Sequence, residues 1–451
     1  MNNKDKYGEV FTPPSLVEQM MDDACMFMGD DFFWNKRNIF ETGCGKGIFY
    51  NTLIHNSQHI HEDACYTMNE INVEYKDILQ NSISPFRKNK DKVVLCDLFH
   101  MDICNSFDIV WGNLPFHNGG KVFVPGMATF HGDDSSITKP KNVVTIWPKM
   151  IHLFFNHVLK KGGHFFGIIP CIWLKQDKAC IYDLFVRKNK ICFLKVFDCY
   201  QAHKLFGYNC QTPMCYVMVE KLYEQYETYE QYETYETYET YEKHNNVCCT
   251  FPLYDHHVQR YIDFTLLRDF CIPSAHASLF QKHVLSIMQC PHYVSCYEKI
   301  KKISLLKQDI VNHATFFFNQ KTKKDVGLLH EYTLPNDKLY KVITGASWDK
   351  QNQSLVLHGF VSYFHGLYYG IPKLILPHKR LLKVFKDIHG NYSCYGRDMY
   401  VFLCPNGIQE INALEQLLSF PEVIQMVEQG FKVRMNFIEK YVFQYINYDL
   451  K

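Results

Sequence analysis

Short apolar runs of β-strand type alternate with segments of helical periodicity through roughly the first half of the chain. Seven runs are predicted to be strands: Asn38–Glu41, Cys65–Glu70, Lys92–Cys96, Phe107–Trp111, His164–Ile169, Cys192–Phe197 and Met214–Glu220. Five further segments are predicted to be helices: Pro14–Phe27, Ile48–Asn56, Val73–Asn81, Ile146–Lys160 and Lys178–Lys188. This alternation predicts an α/β fold with a mostly parallel, doubly wound sheet. The last two strands have no clear helix between them, so we expect them to be joined as a hairpin.

A Tyr-Glu repeat at residues 223–242 separates this part of the chain from the rest. Its three-residue period matches neither a helix nor a strand, so the repeat is predicted to be a surface insertion; an acidic flap that mimics DNA is the alternative. We therefore expect an α/β domain at 1–222, an insertion at 223–244 and a mixed α+β domain at 245–451. The predicted elements of the last domain are helices at Ser304–His313, Gln409–Ser419 and Glu422–Gly430 and strands at Leu355–Tyr363 and Tyr400–Leu403.

The charge of the chain is unevenly distributed. The formal net charge is +1, but the repeat carries seven glutamates and no basic residue, so the remainder is at about +8. This balance is compatible with a nucleic-acid partner and does not establish one.

Composition narrows the class of protein further. The 18 cysteines include no C-x-x-C pair, and the best metal candidate, Cys290-Pro-His292 with Cys296, lacks a second half, so we expect buried reduced thiols and no metal. No apolar stretch approaches the roughly 18 residues of a membrane span, and the N-terminus is polar. We expect a soluble, cytoplasmic monomer with no membrane partner.

A glycine-rich loop follows the first predicted strand, in the sequence Glu41-Thr-Gly43-Cys-Gly45-Lys-Gly47. Glycines permit a tight turn and close approach of the backbone to a ligand. The spacing differs from the dinucleotide pattern G-x-G-x-x-G, and the carboxylate before it suits a cationic ligand better than a pyrophosphate. A simple turn is the alternative.

Two further carboxylates follow strands of the predicted sheet. Glu70 ends the second strand and could accept both hydroxyls of a ribose, and Asp97 follows the third and could accept from an adenine amino group. Helix capping is the alternative for each.

The strongest motif, Asn113-Leu114-Pro115-Phe116, follows the fourth strand. The Asn113 oxygen and the carbonyl of Leu114 can both accept from one amino group, while an aromatic ring offers a stacking face for a planar base. A turn with a buried Phe116 is the alternative.

These motifs resemble the amino-methylating DNA methyltransferases, whose fourth motif is Asn/Asp/Ser-Pro-Pro-Tyr/Phe/Trp. The segment Tyr7–Pro14 resembles the N-terminal cofactor motif of that family, and Thr145–Gly163 and Tyr208–Thr212 resemble later landmarks. The order of motifs is that of the gamma arrangement of N6-adenine enzymes. The resemblance covers about the first 220 residues, and Pro372–Tyr400 resembles the recognition domains only loosely.

The resemblance implies a Rossmann-like methyltransferase sheet of seven strands, a C-terminal target-recognition domain, S-adenosylmethionine as cofactor and an adenine in double-stranded DNA as target. Thr12 would hold the methionine carboxylate, Asn113 would accept from the target amine, and Phe116 would stack on the flipped base. The residues implied to bind the cofactor are Tyr7, Thr12, Pro13, Glu41, Gly43, Gly45, Gly47, Glu70, Ile71, Asp97, Leu98 and Asn113.

One residue departs from the family. Leu114 stands where the motif has its first proline. The substitution keeps the backbone carbonyl but removes the fixed φ of proline. An inactive DNA-binding relic is therefore one alternative to an adenine DNA methyltransferase. A protein-glutamine methyltransferase, which uses the same Asn-Pro-Pro-Tyr motif, and an RNA adenine methyltransferase are the others. A separate restriction endonuclease is a conceivable partner, and the low-complexity repeat hints at a viral, AT-rich genome.

Basic residues in three segments are candidates for phosphate contacts, with solvated surface charge as the alternative. They are Lys121, Lys141, Lys323, Lys324, Lys379 and Arg380.

Overall fold

The structure is a computed structural model that describes fifteen stretches of the chain. These are residues 10–55, 60–102, 106–116, 146–177, 179–206, 212–223, 247–290, 293–301, 314–318, 340–349, 354–362, 367–377, 384–395, 399–431 and 440–448. The chain divides into two compact units, Met1–Ala277 and Ser278–Lys451.

The first unit is built on one sheet of nine strands. In chain order the strands are β1 (Asn38–Thr42), β2 (Cys65–Glu70), β3 (Lys92–Leu95), β4 (Phe107–Asn113), β5 (Leu159–Pro170), β6 (Lys190–Phe197), β7 (Met214–Glu220), β8 (Val247–Asp255) and β9 (Arg260–Leu267). The helices are α1 (Pro14–Met28), α2 (Ile48–His55), α3 (Lys76–Ser82), α4 (Trp147–Leu153) and α5 (Cys199–Phe206). Short 3-10 turns lie at Val73–Tyr75, Pro85–Arg87, Leu98–His100 and Cys171–Leu174, and π turns at Phe154–Val158 and Asp183–Arg187.

The strand order is β3-β2-β1-β4-β5-β7-β6-β8-β9. Strands β3, β2, β1, β4 and β5 are parallel neighbours, and β7 runs antiparallel between β5 and β6. The chain moves outward from β1 to β3 and then returns to β4 on the other side of β1, so the winding reverses between β1 and β4. A crevice beyond the strand ends at such a point is the usual ligand site of a doubly wound sheet. The predicted α/β fold is confirmed.

Close approach of β4 to β1 depends on one glycine. Gly112 has φ +144°, and a Cβ built there would lie 2.7 Å from the carbonyl oxygen of Thr42. A side chain at this position would therefore collide with the neighbouring backbone just before the end of β4.

Three sequence expectations for this unit need correction. The predicted helix 146–160 is helical only to Leu153, continues as a π turn and becomes β5 at Leu159. The predicted helix 178–188 is a short turn centred on Asp183–Arg187. Strands β6 and β7 are antiparallel neighbours as expected, but α5 connects them, because Asp198 caps that helix by accepting from the backbone N–H groups of its first turn.

The hairpin β8–β9 extends the sheet to nine strands and carries the first unit to Ala277. The sequence division had placed these strands after the repeat, in the second domain. They join the first unit because β8 pairs with β6 and because the Tyr261 hydroxyl on β9 donates to the Asp23 carboxylate on α1 (2.6 Å). The functions expected of the segments 1–222, 223–244 and 245–451 stay predictions.

The second unit contains two four-stranded sheets with helices, as a mixed α+β domain would. One sheet has the order β10-β17-β14-β15 and the other β11-β13-β12-β16. The strands are β10 (Ile300–Lys301), β11 (Ala314–Phe318), β12 (Tyr340–Asp349), β13 (Ser354–Ser362), β14 (Lys373–Pro377), β15 (Phe385–Asp387), β16 (Tyr392–Cys394) and β17 (Met399–Leu403). The helices are α6 (Ala277–Met288), α7 (Cys296–Lys299), α8 (Ile408–Ser419) and α9 (Pro421–Gln429), with a 3-10 turn at Lys440–Tyr445. The predicted helix 304–313 lies outside the described residues.

Within the described stretches, none of the helices combines the length and the apolar character needed to cross a bilayer.

The attachment of the hairpin to α1 is testable by removing one hydroxyl. Asp23 is buried, and it accepts from both Tyr216 and Tyr261 and lies 3.8 Å from the Lys195 ammonium. Because hydrogen bonds to charged groups contribute about 1.5–3 kcal/mol, Tyr261→Phe should lower the free energy of unfolding by about that amount in urea titrations. Tyr200→Phe, at an exposed hydroxyl on α5, is the control, and equal stabilities of the two variants would contradict this attachment.

Candidate active site

The glycine loop after β1 lies against the turn after β4. Gly43 has φ +56°, and a Cβ built there would lie 3.6 Å from Pro115 Cδ and 3.9 Å from the carbonyl oxygen of Asn113. The two motifs are 70 residues apart in the chain and meet because β1 and β4 are parallel neighbours whose carboxyl ends share one edge. The glycine loop and the Asn-Leu-Pro-Phe turn are therefore neighbours at this edge of the sheet.

Asn113 is half-buried at the tip of β4, and its amide nitrogen is held by the N-terminal segment. Nδ2 donates to the Val10 carbonyl (3.2 Å) and to the Thr12 hydroxyl oxygen (3.2 Å). Both amide hydrogens are thus used, and among the described residues no donor is bonded to Oδ1. The side chain consequently presents an acceptor on the side away from Thr12.

Leu114 occupies the place of a proline without opening the turn. Its side chain is only 2% exposed, and its N–H donates to the Ile168 carbonyl on β5 (3.3 Å), a bond that a proline could not make. Packing and this hydrogen bond hold the backbone of Leu114 in place of the ring constraint.

Phe116 stands half-buried at the end of the same turn and packs partly against the core. Its carbonyl accepts from the Ile146 N–H (3.3 Å), so the residue before α4 is hydrogen-bonded to the end of the turn. The residue is neither fully buried nor exposed, and its expected stacking role stays a prediction.

Glu41 is completely buried at the end of β1, beside the first turn of α2. Its Oε2 accepts from the Tyr66 hydroxyl (2.7 Å) and from the Tyr50 N–H (3.1 Å). Burial nevertheless dominates and raises the pKa of Glu41 to about 8. The carboxyl group is therefore neutral at pH 7 unless a cation approaches it.

Three buried polar atoms lie near the ends of β1 and β2 without a partner among the described residues. They are Glu41 Oε1, Thr42 Oγ1 and Asn72 Nδ2. Each uncompensated group costs about 1–3 kcal/mol, so native proteins rarely leave several close together. A ligand that supplies both donors and acceptors at this edge would satisfy them.

Glu70 is buried and ties the glycine loop to the end of β2. Its Oε2 accepts from the Gly45 N–H and its Oε1 from the Asn72 N–H, both at 2.8 Å. The expected ribose contact stays a prediction for this carboxylate, which already shapes the loop. Ile71, which follows, exposes an apolar side chain next to it.

Asp97 caps the 3-10 turn after β3. Its Oδ1 accepts from the Phe99 N–H (3.0 Å), and Oδ2 lies 3.4 Å from His100 Nδ1. Leu98 is 6% exposed, so its side chain belongs to the core, whereas Phe99 is 40% exposed at the ligand edge. Phe99 was not among the predicted residues; an apolar side chain directly beyond a strand-end carboxylate is the signal that could have found it.

The N-terminal segment covers the glycine loop with an aromatic ring that sequence reasoning also missed. A Cβ on Gly45 would lie 3.7 Å from the ring of Phe11, and Lys46 Nζ lies 4.7 Å from the centroid of that ring. Thr12 is buried beneath Phe11, and Pro13 precedes the first residue of α1. Phe11 is half-exposed and can flank a ligand held by the loop.

Several predicted residues cannot be placed relative to this site because they lie outside the described stretches. They are Tyr7, Lys121, Lys141, Lys323, Lys324, Lys379 and Arg380, together with the landmark residues Thr145 and Tyr208–Gln211.

No protein-family model and no curated protein sequence matches the chain. Similar solved structures include a class I S-adenosylmethionine-dependent methyltransferase of Listeria monocytogenes, described as putative, with 13% identity, a TM-score of 0.34, and coverage of 50% of this chain and 64% of that one. The methyltransferase subunit of a type I restriction-modification system from Streptococcus thermophilus has 13% identity, a TM-score of 0.35, and coverage of 65% and 55%. The 23S rRNA methyltransferase ErmE has 10% identity, a TM-score of 0.31, and coverage of 49% and 73%.

The chain spans less than two thirds of the length of the first two structures. At such TM-scores the likenesses assign neither a cofactor nor a reaction to this chain.

Burial of Glu41 predicts a specific dependence of stability on pH. The pKa is about 8 in the folded chain against an ordinary value of 4.5, so below pH 4.5 both states hold the proton and its stabilising effect is complete. Between pH 4.5 and 8 the unfolded chain loses the proton first, and stability falls by up to about 1.4 kcal/mol per pH unit. Glu41→Gln removes this contribution, so its stability relative to the wild type should rise steadily across that window in denaturant titrations.

Glu18→Gln, on the exposed side of α1, is the control for loss of a carboxylate and should show no such trend. A flat difference between Glu41→Gln and the wild type from pH 4.5 to 8 would mean that Glu41 is charged in the folded protein.

Proposed function

We propose that the chain is an S-adenosylmethionine-dependent methyltransferase that methylates the exocyclic amine of adenine in DNA. The observation that carries the proposal is the orientation of Asn113, whose amide hydrogens are bonded to Val10 and Thr12 so that Oδ1 remains an acceptor beside the glycine loop. An amine that is to be methylated needs such an acceptor next to the methyl donor.

The donor set at the loop fits S-adenosylmethionine. The molecule carries an ammonium, a carboxylate, two ribose hydroxyls and an adenine, and the unpartnered Glu41 Oε1, Thr42 Oγ1 and Asn72 Nδ2 comprise acceptors and donors for such groups. Glu41 and the Gly43–Gly47 loop would hold the methionine part, Glu70 the ribose, and Asp97 with Ile71 and Phe99 the adenine. When bound, the cofactor supplies an electrophilic methyl group on a sulfonium.

The chain's own residues would activate the amine. The lone pair of an adenine amine is delocalised into the ring, and acceptance of its two hydrogens by Asn113 Oδ1 and the Leu114 carbonyl would localise that pair on nitrogen. The activated nitrogen would take the methyl group that the bound cofactor supplies, the sulfur would keep the electron pair of the carbon–sulfur bond, and the amine would release one proton to solvent. No covalent enzyme intermediate is needed.

Adenine as the target and DNA as the polymer are supported by several features. Asn at the first position of the motif accompanies adenine in the family that the motif resembles, and the half-buried Phe116 at the end of the turn would stack on an extruded base. Extrusion is required because the amine cannot reach the donor within a duplex. A second unit of mixed α+β structure is available for target recognition, with the basic residues named above as candidate phosphate contacts.

The decisive experiment is methyl transfer from labelled S-adenosylmethionine to duplex DNA, structured RNA and protein in parallel. Label recovered as N6-methyladenine from DNA is the expected result. Label confined to RNA or protein would refute the DNA assignment in favour of the corresponding alternative, and cofactor binding without transfer would indicate an inactive relic.

Removal of the proposed acceptor should separate binding from chemistry. Asn113→Ala is expected to lower the transfer rate at least about a hundredfold and to change the cofactor dissociation constant little, because Oδ1 acts on the target amine. Asn81→Ala, at an exposed position on α3, is the matched control. A normal rate in Asn113→Ala would remove the assigned role.

The hydroxyl of Thr12 should matter as an acceptor from Asn113. Thr12→Val preserves the shape of the side chain and removes the acceptor, so the amide of Asn113 loses one of its two restraints and we expect a drop of about tenfold in kcat. Thr12→Ser keeps the hydroxyl and should restore most of the rate. If valine and serine at this position behave alike, the hydrogen bond does not position Asn113.

A further inference from the structure

A histidine, a cysteine and a glutamate meet on three adjacent strands at the edge of the sheet away from the active site. Among the described residues, the potential ligand atoms of His164, Cys192 and Glu220 all lie within 4.8 Å of one another. His164 is on β5, Glu220 on β7 and Cys192 on β6, and β7 lies between the other two strands. The three residues are separated in sequence, so no local spacing pattern reveals them.

Strand register and one bulge bring the side chains together. His164 and Glu220 are direct cross-strand partners, and Lys190 is the residue opposite Glu220 on β6. The register of β6 then shifts between Ile191 and Phe193, which makes Cys192 the extra residue of a β-bulge. Bulges of this kind redirect a side chain and are often found at functional positions.

The imidazole supplies the second, independent observation. His164 is 4% exposed, and its Nε2 is buried without a hydrogen-bond partner in the described part of the chain. A buried imidazole nitrogen ordinarily has a hydrogen-bond partner, so the lack of one at Nε2 indicates that a ligand binds there.

We propose that His164, Cys192 and Glu220 form a binding site for a zinc ion. One imidazole, one thiolate and one carboxylate are all ordinary zinc ligands, and the two anions balance the charge of the dication in a buried position. A water molecule can complete the tetrahedron, since the Glu220 side chain is partly open to solvent. Zinc ligands in a tetrahedron lie roughly 3.5 Å apart, so small side-chain rotations close the site.

Two lysines adjoin the cluster and set its chemistry. Lys190 Nζ lies 3.1 Å from Glu220 Oε2, so the other carboxylate oxygen, Oε1, would be the one that binds the metal. Lys36 Nζ lies 3.5 Å from His164 Nδ1. The amine of Lys36 therefore adds a positive charge beside the imidazole, which opposes the binding of a dication. Binding also releases the proton of the Cys192 thiol to solvent, since the thiolate is the ligand.

The site is distinct from the proposed active site. Asn113 is in register with Ile168 on β5, and His164 lies four residues earlier, about 13 Å back along the strand. A metal here would cross-link β5, β6 and β7, so its removal is expected to lower stability and to leave the methyl-transfer geometry in place.

The test is titration of the chelator-treated full-length protein with cobalt(II), which gives a thiolate-to-cobalt absorption band where a cysteine is a ligand. One equivalent per chain should produce the band, and zinc should displace it and raise the thermal midpoint. Cys192→Ser should abolish the band, and Glu220→Gln, at the partly exposed ligand, should weaken cobalt binding roughly tenfold or more. Cys65→Ser, a cysteine outside the cluster, is the matched control and should behave as the wild type.

Lys36→Met provides a second test of the metal site if Cys192→Ser does not fold. Removal of the adjoining amine should strengthen cobalt binding several-fold at pH 7, because a competing positive charge is lost. A wild-type protein that gives no band, a band that survives Cys192→Ser, or cobalt affinity that is unchanged in both Glu220→Gln and Lys36→Met would overturn the proposal.

Discussion

Two hydrogen bonds from the Asn113 amide nitrogen, to the Val10 carbonyl and the Thr12 hydroxyl, determine which face the tip of β4 shows to a ligand. An unrestrained carboxamide can turn over and present either a donor or an acceptor. Here the N-terminal segment accepts both amide hydrogens, so the oxygen is the group left for a substrate. The same segment places Phe11 over the glycine loop, so the glycine loop, the Asn-Leu-Pro-Phe turn and the N-terminal segment form one assembly.

The buried polar groups around this assembly lower the stability of the fold. Glu41 is held neutral by burial although it sits between the glycine loop and the first turn of α2, and Thr42 and Asn72 each retain an unpartnered polar atom. Such groups destabilise the isolated fold and are commonly found where a polar ligand completes the network. The same buried side chains thus affect both the stability of the fold and the affinity of the site for its proposed ligand.

The sheet could be predicted from the sequence because each strand of the first half is a compact apolar run bounded by polar residues. The glycine loop and the Asn-Leu-Pro-Phe turn could be placed at one edge for the same reason. What depends on distant contacts could not be predicted: Asn113 meets Val10 across 103 residues, Tyr261 meets Asp23 across 238, and α5 depends on a cap at Asp198. Likewise, His164 and Cys192 come together only through strand register and a bulge.

The central claim is that the Asn113 amide group must donate to the N-terminal segment while its oxygen accepts from the target amine. The most direct measurement is the rate of methyl transfer by Asn113→Asp, since aspartate occurs at this position in the family that the motif resembles. A carboxylate cannot donate to the Val10 carbonyl, so we predict a rate at least about tenfold lower, with cofactor affinity little changed. A rate equal to that of the wild type would contradict the account.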